Sequence, residues 1–235
     1  MKRELIVAID GPSGAGKSTL SKTLAKELGY HNIDTGAMYR SVALAAKRRG
    51  IDPTDETALG RLAESVRIEF IRQGEGERVL LDGEDVSSAI RTPEISLLTS
   101  RISAYAGVRQ AMVELQRKLG AQGGVVLEGR DIGTVVFPQA DVKFFLSAST
   151  TERGRRRYEE LRAKGLAVEL EQTIAEVESR DAADSARECA PLVQAKDALV
   201  IDSTAMNIDE VLRTMLQEVR HCQRNKHSSH PESAA

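Results

Sequence analysis

Five short apolar runs recur along the chain, at Leu5 to Ile9, Tyr30 to Ile33, Val125 to Leu127, Val142 to Leu146 and Ala198 to Ile201, and each is followed by helix-like sequence. Strands this short and this continuously apolar are buried on both faces, and their alternation with helices predicts an α/β layout with a parallel sheet of five strands. The clearest helical stripe comes last. Ile208, Val211, Leu212, Met215, Leu216 and Val219 repeat at three- and four-residue steps behind a capping-box-like Asn207 and Glu210, so this helix is expected to close the core. One stretch breaks the alternation. Ile68 to Ile71 and Val79 to Leu81 flank Gln73-Gly74-Glu75-Gly76-Glu77, which predicts a hairpin, with Glu84 to Ser87 as a third short strand. These strands define an inserted antiparallel subdomain at about residues 60–92, bounded by Thr92-Pro93, with two helices following from Pro93 to Gln122. From Arg224 the tail RNKHSSHPESAA is polar and aperiodic; residues 224–235 are expected to be disordered and residues 1–223 to form a single domain.

Composition narrows the function classes. The 33 basic and 35 acidic side chains leave a net charge of −2, which argues against a basic nucleic-acid coat. Aromatic residues make up only 3% of the chain and Trp is absent, so no stacking platform for single-stranded nucleic acid is expected. Cys189 and Cys222 lack partners at metal-ligand spacing and read as free thiols of a reducing compartment, the cytoplasm. The first apolar run stops at Asp10, too short for a signal-peptide core, and no apolar window of about 18 residues exists, so no membrane segment is expected.

Directly after the first run come Gly11, Pro12, Ser13, Gly14, Ala15, Gly16, Lys17, Ser18 and Thr19, which match G-x-x-x-x-G-K-[ST], and then an amphipathic stretch through Leu20, Leu24 and Leu28. Strand, glycine-rich turn and helix are the context this phosphate-binding motif requires. The glycines let backbone N–H groups curl around the β- and γ-phosphates, the helix N-terminus adds partial positive charge, Lys17 bridges phosphates, and Ser18 can ligate Mg²⁺. ATPases, GTPases and kinases share the loop. Neither an Asn-Lys-x-Asp guanine signature nor an Asp-x-x-Gly switch occurs, which disfavours a GTPase.

Arginines suggest a second phosphate. Asp34-Thr35-Gly36-Ala-Met-Tyr39-Arg40 follows the second strand and opens a helix, so Thr35 sits near an N-cap with Arg40 about one turn in; the segment suits an anion, or a simple cap beside a solvated Arg. Val125 to Leu127 runs into Glu128-Gly129-Arg130-Asp131, at the carboxyl end of a strand where ligands of such sheets bind. Glu128 is a candidate for Mg²⁺ through water, or a partner for a neighbouring base. Ser149 and Glu152 start a helix bearing Arg153, Arg156 and Arg157 on one face, a phosphate lid or a solvated face answered by Glu159 and Glu160. In the next helix the stripe of Leu170, Ile174 and Val177 continues into Arg180, Asp184 and Arg187, which places a polar cleft or a buried salt-bridge network there.

The blocks GPSGAGKST, DTGAMYR, LEGRDIGTVVFP, ASTTERGRRR and SRDAADSARECAPL, in this order and spacing between about Leu5 and Val219, resemble the bacterial-type cytidylate kinases of the nucleoside monophosphate kinase family. The resemblance implies a five-stranded parallel-sheet P-loop kinase fold with an inserted small antiparallel subdomain, a mobile monophosphate-binding region and a helical lid at about residues 149–187. It further implies transfer of the ATP γ-phosphoryl group to CMP or dCMP with Mg²⁺, by a monomer that needs no nucleic acid or membrane. By the same resemblance Gly11 to Thr19 hold ATP, Thr35, Arg40 and Arg130 hold the acceptor's phosphate, and Ser100, Arg109 and Asp131 meet the cytosine edge. Arg180 and Asp184 meet the sugar, Arg187 reaches the acceptor near phosphate and sugar, and Arg153, Arg156 and Arg157 close over ATP. Thr35 stands where Ser is also used and Glu128 where Asp is also used. Two rivals from other classes are a P-loop ATPase coupled to a partner and a non-catalytic nucleotide sensor, both distinguishable by acceptor-dependent turnover. His31, His221, His227 and His230 read as structural or solvated, because an anionic phosphate acceptor needs no general base.

Overall fold

A computed structural model describes residues 4–73 and 76–228. In chain order the elements are β1 (Ile6–Asp10), α1 (Lys17–Leu28), β2 (His31–Asp34), α2 (Thr35–Arg48), α3 (Glu56–Ser65), β3 (Ile68–Gln73), β4 (Gly76–Leu81), β5 (Glu84–Asp85), α4 (Pro93–Ile102), α5 (Ala106–Gly120), β6 (Val125–Gly129), β7 (Val142–Ser147), α6 (Thr150–Ala163), α7 (Leu170–Ser185), β8 (Leu199–Asp202) and α8 (Ile208–Ser228). A 3₁₀ turn, Ala89–Arg91, precedes α4, and a single π-helical turn, Ile132–Val136, follows β6.

The five apolar runs form one sheet in the order β2-β6-β1-β7-β8. β1 lies between parallel partners, with Ile6 opposite Val125 of β6 and Val7 opposite Val142 of β7, and β7 pairs in parallel with β8. Every residue of β1 and β6 is buried, as strands covered on both faces must be. β8, at the edge, leaves Leu199 and Val200 exposed. β3, β4 and β5 form the separate antiparallel sheet.

The chain divides into two compact units, Met1–Asn32 with Gln122–Ala235, and Ile33–Ala121. In the first, Val7, Ile9, Leu24, Val126, Phe144 and Leu146 share a core with Val211, Met215 and Val219 of α8, so the last helix closes it. Burying each such aliphatic side chain contributes roughly 1.5–3 kcal/mol. The capping box that starts α8 is reciprocal: Asn207 N donates to Glu210 Oε2 and Glu210 N to Asn207 Oδ1, both at 2.9 Å. In the second unit Val42, Leu59, Ile95, Ile102, Val108 and Met112 are buried, drawn from α2, α3, α4 and α5. No helix among the described residues is long and apolar enough to cross a membrane, and both cysteines are free.

Two boundaries differ from the sequence reading. Residues 60–65 finish α3 instead of beginning the antiparallel sheet, because Leu59, Leu62 and Ala63 supply a buried helical face. Residues 224–228, expected within a disordered tail, continue α8, where Lys226 pairs with Asp141 and Asn225 meets His221 one turn back at 2.9 Å. The rest of that tail, 229–235, and the hairpin tip at 74–75 lie outside the described residues.

Candidate active site

β1 delivers the chain into the glycine-rich loop, and the loop delivers it into α1. At Gly11 φ is +149°, and a Cβ there would lie 2.0 Å from the carbonyl oxygen of Leu146, so only glycine lets the loop leave the sheet beside β7. Lys17 opens α1, is buried, and donates from Nζ to the Pro12 carbonyl oxygen at 2.6 Å across the loop. Burial first and the nearby Arg130 cation second hold the Lys17 ammonium well below its ordinary pKa; Arg180 adds to this, while Glu128 and Asp10 oppose it. Ser18 Oγ donates to Glu128 Oε2 at 2.8 Å.

The carboxylates of this unit have separate environments. Glu128 is buried near the end of β6. Asp10, at the end of β1, accepts from the backbone N–H groups of Ile132 at 2.8 Å and Gly133 at 2.7 Å, yet burial pushes its carboxyl up to about 6. Asp131, between Arg130 and that turn, is buried as well. Asp184 on α7 is buried between two guanidinium groups: Arg130 Nε donates to its Oδ2 at 2.7 Å, and Arg187, just past the helix end, bonds its Oδ1. Burial alone would raise the Asp184 carboxyl, but Arg130 and Arg187 outweigh it and hold it below the usual carboxylate range. Asp184 and Arg187 of the α7 stripe therefore join Arg130 in a buried salt-bridge network, one of the two arrangements, not mutually exclusive, that the sequence allowed. Its apolar part is narrower than expected, since Val177 is buried but Leu170 is exposed.

The arginines of α6 have unequal surroundings. All three nitrogens of Arg153 are engaged: Nε with the Ala148 carbonyl at 2.9 Å, Nη1 with the Ser13 carbonyl at 3.0 Å and with Asp181, and Nη2 with Thr150 Oγ1 at 3.0 Å. Arg156 reaches Glu152 at 2.9 Å and clasps Ser203, donating to its hydroxyl at 3.1 Å and its carbonyl at 2.7 Å. Arg157 pairs with Glu160 at 2.8 Å. Glu152 answers Arg155 and Arg156 together, so the acids that relieve this cluster are Glu152, Glu159 and Glu160.

In the unit Ile33–Ala121, Asp34 caps α2 by accepting from Ala37 N at 2.8 Å, and Arg40 Nη2 donates to Asp34 Oδ2 at 2.9 Å. Thr35 is the first residue of the helix and is buried. Arg91 approaches the same carboxylate at 3.7 Å. Arg109 of α5 is buried, donates to the Ser103 carbonyl at 3.3 Å, and lies over the Tyr39 ring at 5.8 Å from its centroid. Such stacking fixes a guanidinium plane. Ser100 is half-buried on α4.

Four residues escaped the sequence reading as site elements: Asp10, Asp34, Asp181 and Ser203. Asp10 carried a signal, a carboxylate ending a fully apolar strand. Asp34 carried one too, as a strand-ending residue with cap chemistry three positions before Ala37. Asp181 and Ser203 find their partners only through the fold.

Ser18 Oγ and the Glu128 carboxylate supply hard oxygen donors side by side, the donor chemistry of a Mg²⁺ that keeps waters and substrate phosphates as its other ligands. Among the described residues no group of three or more His, Cys, Asp and Glu forms a dedicated metal cage. The residues fit the ion in that shared mode.

Residues 7–221 match the family model described as Cytidylate kinase. A protein named cytidylate kinase from Syntrophotalea carbinolica is 67% identical over 219 residues, covering 93% of each chain. Another of that name, from Geobacter sulfurreducens, is 60% identical over 223 residues, 95% of this chain and 96% of its own. Among solved structures a gluconokinase from Sinorhizobium meliloti shares the fold, with a TM-score of 0.52 at 14% identity over 98% of this chain and 100% of its own.

Proposed function

The chain belongs to the cytidylate kinase family, a kinase passing a phosphoryl group from ATP to CMP, and from that membership we propose how its residues act and that dCMP serves as a second acceptor. Gly11, Pro12, Ser13, Gly14, Ala15, Gly16, Lys17, Ser18 and Thr19 hold the ATP phosphates, with the loop N–H groups and Lys17 as donors. Thr35, Arg40 and Arg130 hold the CMP phosphate. Ser100, Arg109 and Asp131 read the cytosine edge, Arg180 and Asp184 take the sugar, and Arg187 lies between phosphate and sugar. Helices α6 and α7 serve as the lid over ATP. Mg²⁺, held through Ser18 and Glu128, would neutralise phosphate charge.

The acceptor is already an anionic oxygen, so no residue has to remove a proton. Attack on the γ-phosphorus proceeds in line as the bond to the β–γ bridging oxygen breaks, and the protein's contribution is positioning and positive charge. Lys17 and Arg130, with Arg156 and Arg157 on the lid, supply that charge. Arg153, with every nitrogen engaged by protein groups, contributes by holding the loop.

One observation carries this reading: Asp10, which leads into the proposed ATP loop, lies opposite Gly129, which leads into Arg130, and Ser18 Oγ of that loop meets Glu128 Oε2 at 2.8 Å. The segments proposed for the donor and for the acceptor phosphate are thus neighbours, as in-line transfer between them requires. The test is a coupled assay of ADP release, which requires ATP and CMP together. ADP released at the same rate without CMP would replace the kinase by an ATPase, and binding without turnover would replace it by a sensor.

A further inference from the structure

We infer that Asp181 is a positioning residue that sets the crest of the phosphate-binding loop from helix α7. Nothing in the motif calls for a carboxylate here, yet both backbone polar groups of Ser13 are held by one ion pair. The Ser13 N–H donates to Asp181 Oδ1 at 3.1 Å, and the Ser13 carbonyl accepts from Arg153 Nη1 at 3.0 Å. The same Arg153 Nη1 bonds the second oxygen of Asp181. Ser13, Arg153 and Asp181 therefore close a ring of three hydrogen bonds that ties the loop to α6 and α7 at once.

The neighbouring residue tightens this assembly. Gly14 has φ +75°, and a Cβ there would lie 2.9 Å from the Arg153 carbonyl oxygen, so the loop backbone is packed directly on the first turn of α6. Arg153 and Asp181 have side chains only 6% and 17% exposed, so water competes weakly for these bonds. A loop that grips phosphates with backbone N–H groups depends on the orientation of each peptide plane. Fixing both groups of residue 13 fixes the two peptide planes that flank it, including the plane that carries the Gly14 N–H.

Asp181 also sits beside Arg180 and one turn before Asp184, residues assigned to the acceptor. A merely structural Asp181 would hold α7, and its loss would disturb ATP and CMP use alike. A positioning Asp181 acts on the loop and its loss falls on ATP. The inference rests on the proposed placing of ATP at residues 11–19, and the experiment separates the two.

Steady-state kinetics on Asp181→Ala, Asp181→Asn and Lys17→Ala, each with ATP and CMP varied in turn, make the test. Asp181→Ala is expected to raise KM for ATP about tenfold, the effect of losing a charge-assisted bond, while KM for CMP stays within about twofold. Asp181→Asn retains an acceptor for the Ser13 N–H and should recover at least half of that loss on a logarithmic scale. Should Asp181→Ala fail to fold, Asp181→Asn alone carries the test, with an expected rise of about threefold for ATP only. An unchanged KM for ATP in the folded variants overturns the inference, as do equal rises for both substrates. Normal activity of Lys17→Ala would instead remove ATP from the loop, and with it the premise.

Discussion

Arg130 and Asp184, 54 residues apart in sequence, meet at 2.7 Å with only 2% of the Asp184 side chain exposed, and Arg187 shares the same carboxylate. A buried carboxylate between two guanidinium groups is an arrangement in which each member depends on the others. It also holds two proposed acceptor-phosphate arginines in fixed positions.

Removing that carboxylate should therefore be costly. Asp184→Ala strips both arginines of their shared buried counter-charge and is expected to destabilise the fold by about 3 kcal/mol, whereas Asp184→Asn, keeping an acceptor, should cost less. Urea unfolding of the two variants against the parent checks this. A loss for Asp184→Ala below about 1 kcal/mol would show that the arginines do not rely on Asp184.

Asp10 gives a pH dependence whose sign is fixed. Its folded carboxyl is raised to about 6 from the ordinary 3.8, principally by burial. Between these values the folded state binds more protons than the unfolded one, so this group's contribution to stability falls as pH rises from about 4 to 6, and its full cost is present above that window. Asp10→Asn removes the ionisation. Urea unfolding at pH 4.5 and pH 7 should show the parent losing ground to the variant at the higher pH; a difference that does not change with pH would contradict the assignment.

The lid arginines should separate by their partners. Arg156→Ala gives up both bonds to Ser203 and is expected to lower stability as well as kcat. Arg157→Ala gives up only a partly exposed pair with Glu160, so stability should stay within about 0.5 kcal/mol while kcat falls more than KM for CMP rises. Thermal melts beside initial-rate kinetics distinguish these outcomes, and a collapse of CMP affinity at full kcat would move Arg157 to the acceptor site.

What the sequence made legible follows from how local each signal is. The strands and α8 could be read because apolar burial imposes a period on consecutive residues, and the phosphate loop because its glycines and Lys17 sit at fixed spacing. Asp184 and Arg187 were visible in a helical stripe turning ionic, although their shared pairing with Arg130, from beyond β6, was not. Asp181 was out of reach because its partner Ser13 lies 168 positions away, and Ser203 because 47 positions separate it from Arg156. The end of α8 was missed for the same reason: Lys226 is polar in a polar run, and the Asp141 that engages it stands just before β7, 85 positions away. At residues 60–65, the short stripe of Leu59, Leu62 and Ala63 was overlooked beside a stronger strand signal, so the end of α3 was assigned to the antiparallel subdomain.

CMP is the acceptor, and the proposal is that its base is read by hydrogen-bond polarity. Cytosine offers an N4 amino donor beside N3 and O2 acceptors, the polarity that the proposed readers Asp131, an acceptor, and Arg109, a donor, would each suit; uracil reverses the groups at positions 3 and 4. Mispaired buried polar groups cost about 1 to 3 kcal/mol each, so CMP should exceed UMP in kcat/KM by roughly 10²-fold or more. The direct measurement is kcat/KM for CMP, dCMP and UMP at saturating ATP, in the parent and in Asp131→Ala. Strong use of CMP and dCMP by the parent is expected, with most of the preference over UMP lost in the variant. Equal use of CMP and UMP by the parent would contradict it.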